Sequence, residues 1–356
     1  MTMRVLHIDT GAEWRGGQRQ LFLLAQGLRE SGWEPLVAAP PATLLAERLR
    51  ARGLAVASVP MRSAWDLPSA RRLKKLLRTW SPDAVHAHDD RGHALALAAL
   101  VGNADIPLVV TRRTPARPTP LGLRYSRRVA RYVAVSREVR LALIAGGIDP
   151  EMIDVVAPGV PIPQAVAARD WRSECGWPPD VVVCGVVGAL ARDEGVEMLE
   201  RIAARLPVVA RERARIVLLG GRAAGRCSIG GVEAFRAGFV NAGTEALAGL
   251  DVLWHPARSR GLGTAALDAM ALGVPAIAFA TGPLPELIEH DRSGILVRDG
   301  DIRGFASAAA RLVRDDRRRR ILAAGSLALV GRFDARHMID GYAQVYRSLF
   351  SQVPAP

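Results

Sequence analysis

The chain has 356 residues, 49% of them apolar and 23% charged, with a net charge of +13 carried mostly by arginine. This composition excludes a disordered chain and leaves room for two ordinary domains, and aromatics at 5% speak against a surface that stacks single-stranded bases. The positive field favours anionic partners: nucleic acid, an acidic membrane surface or phosphorylated substrates.

Val5-Leu6-His7-Ile8 predicts a short buried strand, and Met1–Thr10 has no hydrophobic leader of useful length. Leu21, Leu24, Ala25 and Leu28 then recur at helical spacing, and Glu34–Ala39 returns as a strand. Further strands are expected at Ala84–His88, Pro107–Thr111 and Tyr132–Ser136, with helices between them. Repeated units of this kind imply a parallel, doubly wound sheet. Ala157–Asp170 (APGVPIPQAVAARD) is rich in Pro and small residues and lacks periodicity, so it reads as a linker. The alternation restarts with strands at Val181–Val187, Ile216–Leu219 and Ala276–Phe279. Two Rossmann-like lobes with a cleft between them suit a two-substrate enzyme. No uncharged apolar run approaches the roughly 20 residues of a membrane span. Cys175, Cys184 and Cys227 form no CxxC pair, which fits a reducing cytosol and no structural zinc.

Four stretches carry candidate chemistry. TGAEWRGGQRQ contains the pair Gly16-Gly17 at a predicted helix start. It is not a GxGxxG fingerprint, and it marks either a tight turn or a place where another molecule approaches the backbone. His86-Ala87-His88-Asp89-Asp90 ends a strand where a doubly wound sheet faces its ligand crevice. Alternation puts both histidines on one side. They are either structural or part of a metal site, and no third ligand is evident nearby in sequence. Thr111–Arg131 holds seven arginines and no acid. It is either a solvated basic face or a loop in which Arg112 and Arg113 hold a phosphate or carboxylate. Arg124, Arg127, Arg128 and Arg131 continue at helical spacing and suit an anionic headgroup layer. Nucleic acid fits the charge, but no binding motif accompanies it. Finally, SRGLGTAALDAMALGVP (Ser259–Pro275) is a Gly-rich loop that opens a helix and aims backbone N–H groups at an anion.

At HPARSRGLGTAALDAMALGVPAIA the sequence resembles family 4 of the GT-B glycosyltransferases. The resemblance extends to the Gly16-Gly17 loop, HAHD, VAVSREVR, VVGAL, GPLPELIEHDRSGILV and RFDARHMIDGYAQVY. It implies an α/β fold of the GT-B type, two Rossmann-like doubly wound parallel-sheet domains facing a cleft. The expected boundaries are an acceptor-binding domain over residues 1–160 and a nucleotide-sugar domain over 161–330, with a last helix in 331–356 crossing back to the first. It implies retaining transfer without a metal or other cofactor, from a UDP- or GDP-linked sugar.

On this resemblance His88 contacts the donor sugar as the catalytic-site histidine, and Gly16 and Gly17 let the donor approach. Gly261, Leu262, Gly263 and Thr264 hold the diphosphate, Asp268 holds the ribose, and Arg112 and Arg113 face an anionic acceptor. Four positions depart from the family pattern. The expected Arg is Ala189, the expected Lys is Glu194, the first Glu of the EX7E pair is Arg260, and the second is Asp268. Either Arg260, with Arg192, meets the diphosphate in place of the lost cations, or Glu194 and Arg260 form a swapped ion pair that leaves a weak or inactive enzyme. The expected role is a cytoplasmic transferase of envelope polysaccharide or lipopolysaccharide biosynthesis, peripheral on the inner face of the membrane. Its acceptor is then a glycolipid or oligosaccharide, and nucleic acid is not a partner. The other reading is a non-catalytic paralogue that binds acceptor or a partner transferase.

Overall fold

The computed structural model describes residues 2–350 apart from 116–127, 189–195, 239, 241–242 and 258–260. The chain divides into two compact units, Met1–Gly159 together with Ala335–Pro356, and Val160–Asp334. It crosses between them at Gly159–Val160, inside the Pro-rich stretch, and again at Asp334–Ala335.

The first unit contains β1 (Arg4–Ile8), α1 (Gly16–Glu30), β2 (Glu34–Ala39), α2 (Leu44–Ala51), β3 (Ala55–Ser58), α3 (Leu67–Trp80), β4 (Ala84–Ala87) and α4 (Asp90–Ala99). β5 (Leu108–Arg112), β6 (Val129–Ala134), α5 (Arg137–Ala145) and β7 (Ile153–Val155) follow. The strands form one sheet in the order β3-β2-β1-β4-β5-β6-β7, and every adjacent pair is parallel. Val5, Leu6, Val37, Val85 and Val109 are buried, as strands covered on both faces require. The order reverses between β1 and β4, so a ligand crevice is expected at the carboxyl ends of these two strands. β6 corrects one expectation: Arg131 sits in a strand beside Tyr132, not on a helix continuing from Arg124.

The second unit contains α6 (Trp171–Cys175), β8 (Val182–Val187), α7 (Val196–Ala203), α8 (Val208–Arg213), β9 (Ala214–Ile229), β10 (Val232–Gly238), α9 (Gly243–Ala248) and β11 (Val252–His255). It continues with α10 (Thr264–Ala271), β12 (Ala276–Phe279), α11 (Leu284–Leu287), β13 (Gly294–Val297), α12 (Ile302–Arg314) and α13 (Asp316–Val330). The sheet order is β10-β9-β8-β11-β12-β13. It is parallel from β9 to β13, while β10 pairs antiparallel with β9 at the edge. β9 is far longer than the expected Ile216–Leu219, because the chain runs through Gly220–Gly225 before turning at Gly230-Gly231 into β10.

The last helix, α14 (Ala335–Ser348), belongs to the first unit. Its Met338, Tyr342, Val345 and Tyr346 share a core with Leu24, Leu28, Trp33, Val109 and Val133. Gly27 of α1 makes this approach possible, since a Cβ there would lie 2.2 Å from Ile339 Cδ1.

Candidate functional site

In the first unit the carboxyl ends of β1 and β4 carry a buried polar cluster. His7 and His86 are partners in the parallel ladder, and His88 follows β4 with its backbone N–H on the Ile8 carbonyl. All three histidines are at most 2% exposed. His7 Nδ1 lies 3.0 Å from His88 Nε2, and the His86 and His88 rings lie with centroids 3.9 Å apart, tilted by 38°. His86 uses both ring nitrogens: Nδ1 is 2.6 Å from the Tyr346 hydroxyl and Nε2 is 2.7 Å from Thr111 Oγ1. Thr111 in turn meets the Tyr342 hydroxyl at 3.2 Å. The last helix therefore reaches the floor of this cluster through two tyrosines, one turn apart.

Burial lowers the pKa of His7 to about 3 and holds His86 and His88 well below their usual value, with the neighbouring histidines adding to the effect on the latter two. All three rings are therefore neutral at neutral pH. The sequence offered no third partner for the HxH pair. The structure supplies His7, and the three residues each present one ring nitrogen within 4.8 Å of the others. A metal ion bound there would have to displace the His7–His88, Thr111 or Tyr346 hydrogen bonds that now join the rings. His7 Nε2 is the buried ring nitrogen of this trio without a hydrogen-bond partner among the described residues.

Beside the histidines, two carboxylates organise the Gly-Gly loop. Asp9 is fully buried. Its Oδ1 accepts from the Gly11 N–H at 2.9 Å and from Gln18 Nε2 at 2.8 Å, while Oδ2 accepts from Arg113 at 3.2 Å. Gln18 also accepts from the Arg15 N–H, at the start of α1. Asp89 accepts from the N–H and hydroxyl of Thr10 and caps α4 through the Gly92 N–H. Burial, reinforced by the nearby Asp9 charge, raises the Asp89 pKa. Gly16 and Gly17 begin α1, and a Cβ on Gly17 would lie 2.3 Å from Arg113 Nη1. The close approach at Gly17 is thus made by an arginine of the same unit.

The arginines assigned to an anionic acceptor turn inward. Arg112 is 7% exposed, paired with Asp90 and donating to His93 Nδ1 at 3.0 Å. Arg113 pairs with Asp9. Arg128 donates to the Asn103 and Ile106 carbonyls, and Arg131 makes a two-pronged bond to Asp154. Arg124 and Arg127 lie outside the described residues.

In the second unit, the Gly-rich loop leads into α10. Gly263 takes a left-handed conformation (φ 66°) immediately before Thr264, and its carbonyl accepts from the Ala266 and Leu267 N–H groups. A Cβ at Gly263 would lie 2.8 Å from Leu287 Cδ1, so both backbone and packing require glycine here. Gly261 is exposed, Leu262 is buried, and Thr264 and Asp268 are half-buried on the first turns of α10. At the end of β11, burial lowers the pKa of the half-buried His255 to about 4. Arg192, Arg260, Ala189 and Glu194 lie outside the described residues.

The sequence assigns no role to His7, Asp9, Tyr342, Tyr346 or His255, and Asp89 enters only as part of HAHD. His7 was within reach of such reading, because the doubly wound order brings β1 beside β4. The tyrosines, 260 residues from His86 in the case of Tyr346, leave only an i,i+4 spacing as a local mark.

Residues 14–163 match the family model for glycosyltransferase family 4, and residues 181–315 match that for glycosyl transferases group 1. A D-inositol 3-phosphate glycosyltransferase of Xylanimonas cellulosilytica is 32% identical over 305 residues, covering 74% of this chain and 72% of that protein. The chain belongs to glycosyltransferase family 4. A second relative, the D-inositol 3-phosphate glycosyltransferase of Stackebrandtia nassauensis, is also 32% identical, over 56% of this chain but only 49% of that protein's length. Among solved structures, HepE of Anabaena in complex with UDP superposes with a TM-score of 0.81 at 19% identity, over 97% of this chain and all of that one. This family 4 member therefore has the GT-B fold, with its two Rossmann-like units.

Proposed function

We propose that the protein moves a sugar from a UDP- or GDP-linked donor to a hydroxyl of an envelope glycolipid or polysaccharide, with retention and without a metal. The observation that carries this reading is the junction at Gly263, where a left-handed glycine opens α10 and Asp268 follows four residues after Thr264. The first N–H groups of a helix lack intrahelical acceptors, and its dipole favours a negative charge by about 0.3–1 kcal/mol, more when partly buried. That suits a leaving diphosphate, with the Asp268 carboxylate accepting from the ribose hydroxyls.

His88 is the donor-sugar contact in this reading. Its neutral ring, tied to His7, donates or accepts a hydrogen bond without placing a cation beside the sugar carbon that becomes positive. The acceptor proton leaves with the departing diphosphate, so no separate base is required. The relatives named D-inositol 3-phosphate glycosyltransferases support a polyhydroxylated anionic acceptor as the wider class. Arg260, with Arg192, replaces the cations lost at Ala189 and Glu194.

A second reading is favoured by those same substitutions: an acceptor-binding paralogue without transfer activity. Incubation with UDP-hexoses and a panel of lipid-linked saccharides separates the two. Release of UDP that depends on both acceptor and His88 supports transfer, and nucleotide binding without turnover supports the paralogue.

A further inference from the structure

Arg112 and Arg113 turn inward, but two other arginines stand near the carboxyl-end rim of the same sheet. Arg19 is in the first turn of α1, and Arg48 begins the second turn of α2. These helices follow the paired strands β1 and β2 and pack against each other. Trp14 lies in the loop that leads from β1 to Gly16. It packs on a core of Leu21, Val37, Leu45 and Leu49 and stands edge-on to Phe22, with ring centroids 6.1 Å apart. The Arg48 guanidinium carbon lies over this indole, 4.1 Å from its centre.

Arg48 is half-buried, and its guanidinium makes no hydrogen bond or ion pair with the described residues. The acids closest in sequence do not serve it. Glu13 pairs with Arg15, and the exposed Glu47 makes no ion pair with Arg48. Burial, with the Arg19 charge adding to it, lowers the Arg48 pKa. Two guanidiniums thus repel each other in a half-buried setting. Elsewhere in this unit an arginine in such a setting has its own carboxylate: Arg113 has Asp9, Arg112 has Asp90 and Arg131 has Asp154. An indole face attracts a guanidinium through its charge and leaves the N–H edge available to an oxygen anion.

We infer that Arg48, seated on Trp14 with the Arg19 charge beside it, is a subsite for a phosphomonoester carried by the acceptor saccharide. The saccharide rests on the transfer reading above, whereas the anion site stands on the residues themselves. A phosphomonoester fits better than a carboxylate. Its nearly double negative charge answers two cations, and its oxygens match the guanidinium fork. In a doubly wound sheet the carboxyl-end rim is where a ligand lies, and Trp14 is two residues from the Gly16-Gly17 pair. The donor diphosphate is assigned to the start of α10 in the second unit, so this subsite is distinct from it.

The test is an NMR titration of the full chain with isotope-labelled tryptophan and arginine. The Trp14 indole N–H is identified by its loss in Trp14→Phe, and the Arg48 N–H by its loss in Arg48→Gln. The probes are inorganic phosphate, UDP, and a panel of hexoses and myo-inositol, each with and without one phosphate group. At least one phosphorylated member should shift both signals at about a tenth or less of the concentration needed with its unphosphorylated form or with inorganic phosphate. Arg48→Gln should weaken that binding about 10-fold or more, and Arg48→Lys, which keeps the charge and loses the fork, by less. Arg50→Gln on the same helix should leave it unchanged, as should thermal unfolding in all three variants. UDP should bind the native protein and Arg48→Gln alike. The inference is overturned if no phosphorylated compound moves these signals, or if binding survives Arg48→Gln. Inorganic phosphate binding as tightly as every phosphorylated saccharide overturns the assignment to an acceptor. Loss of UDP binding in Arg48→Gln overturns it too, placing the donor at this site. A native protein that binds the phosphorylated saccharide but no nucleotide counts against the transfer reading and leaves the subsite in place.

Discussion

His7 Nδ1 and His88 Nε2 lie 3.0 Å apart in a fully buried setting, one residue from the end of β1 and the other just past β4. One proton lies between them, so His7 fixes the tautomer and ring orientation of His88. Replacing His7 with Leu removes that partner and leaves a buried imidazole nitrogen of His88 unpaired. Transfer should then fall by roughly 10- to 100-fold in kcat, by comparison with the loss of one positioned polar group. The KM for the nucleotide-sugar should change little. Steady-state kinetics of His7→Leu and His7→Gln check this, with the glutamine variant recovering part of the rate.

The same burial makes the first unit acid-sensitive. His7 titrates near pH 3 in the folded state against about 6.5 unfolded, and His86 and His88 are displaced in the same direction. Below pH 6.5 the unfolded chain binds more protons than the folded one, so stability is complete above that pH and declines as pH falls toward 3. Each histidine adds up to about 1.4 kcal/mol per pH unit to that decline. Urea unfolding between pH 7.5 and 5 should show a flat region and then this slope, reduced in His7→Gln.

Tyr346 holds His86 from the last helix. Tyr346→Phe leaves His86 Nδ1 without its partner at zero exposure and should cost roughly 1–3 kcal/mol. Tyr342→Phe should cost less, because Thr111 retains its bond to His86. Chemical denaturation of the two variants side by side measures the difference.

Arg113→Met removes the ion-pair partner of Asp9, which has no exposure at all and keeps only the neutral donors Gly11 N–H and Gln18 Nε2 that the site shows on it. A loss of roughly 3 kcal/mol is expected, as for other broken buried pairs. Adding Asp9→Asn should recover part of it, and a double-mutant cycle reads the coupling.

The strands were legible where their apolar runs are unbroken, as at Val5–Ile8 and Val182–Val187, because a doubly covered parallel strand buries every residue. The β9–β10 edge was not, since Gly220, Gly221 and Gly225 interrupt its pattern and the pairing is set by tertiary contact. In the candidate site, glycines and HxH stand out through local chemistry. The inward turn of Arg112 and Arg113 does not. Their acids, Asp90 and Asp9, lie 22 and 104 residues away in sequence, and a charge run looks the same whether solvated or paired.

Gly263→Ala tests the donor loop. The φ of 66° and the 2.8 Å approach to Leu287 oppose a side chain, so about 1–2 kcal/mol of stability should be lost. Nucleotide affinity should weaken about 10-fold, equivalent to about 1.4 kcal/mol. Unchanged nucleotide binding in a folded variant would remove the diphosphate from this loop.

The most direct measurement is calorimetric titration of the native protein and of Arg260→Ala with UDP and with GDP. A sugar-nucleotide transferase binds one of the two at micromolar to millimolar concentration, and binding weakens when Arg260 is removed. No heat with either nucleotide, under conditions where the protein is folded, would contradict transfer from such a donor and leave acceptor or partner binding as the protein's role.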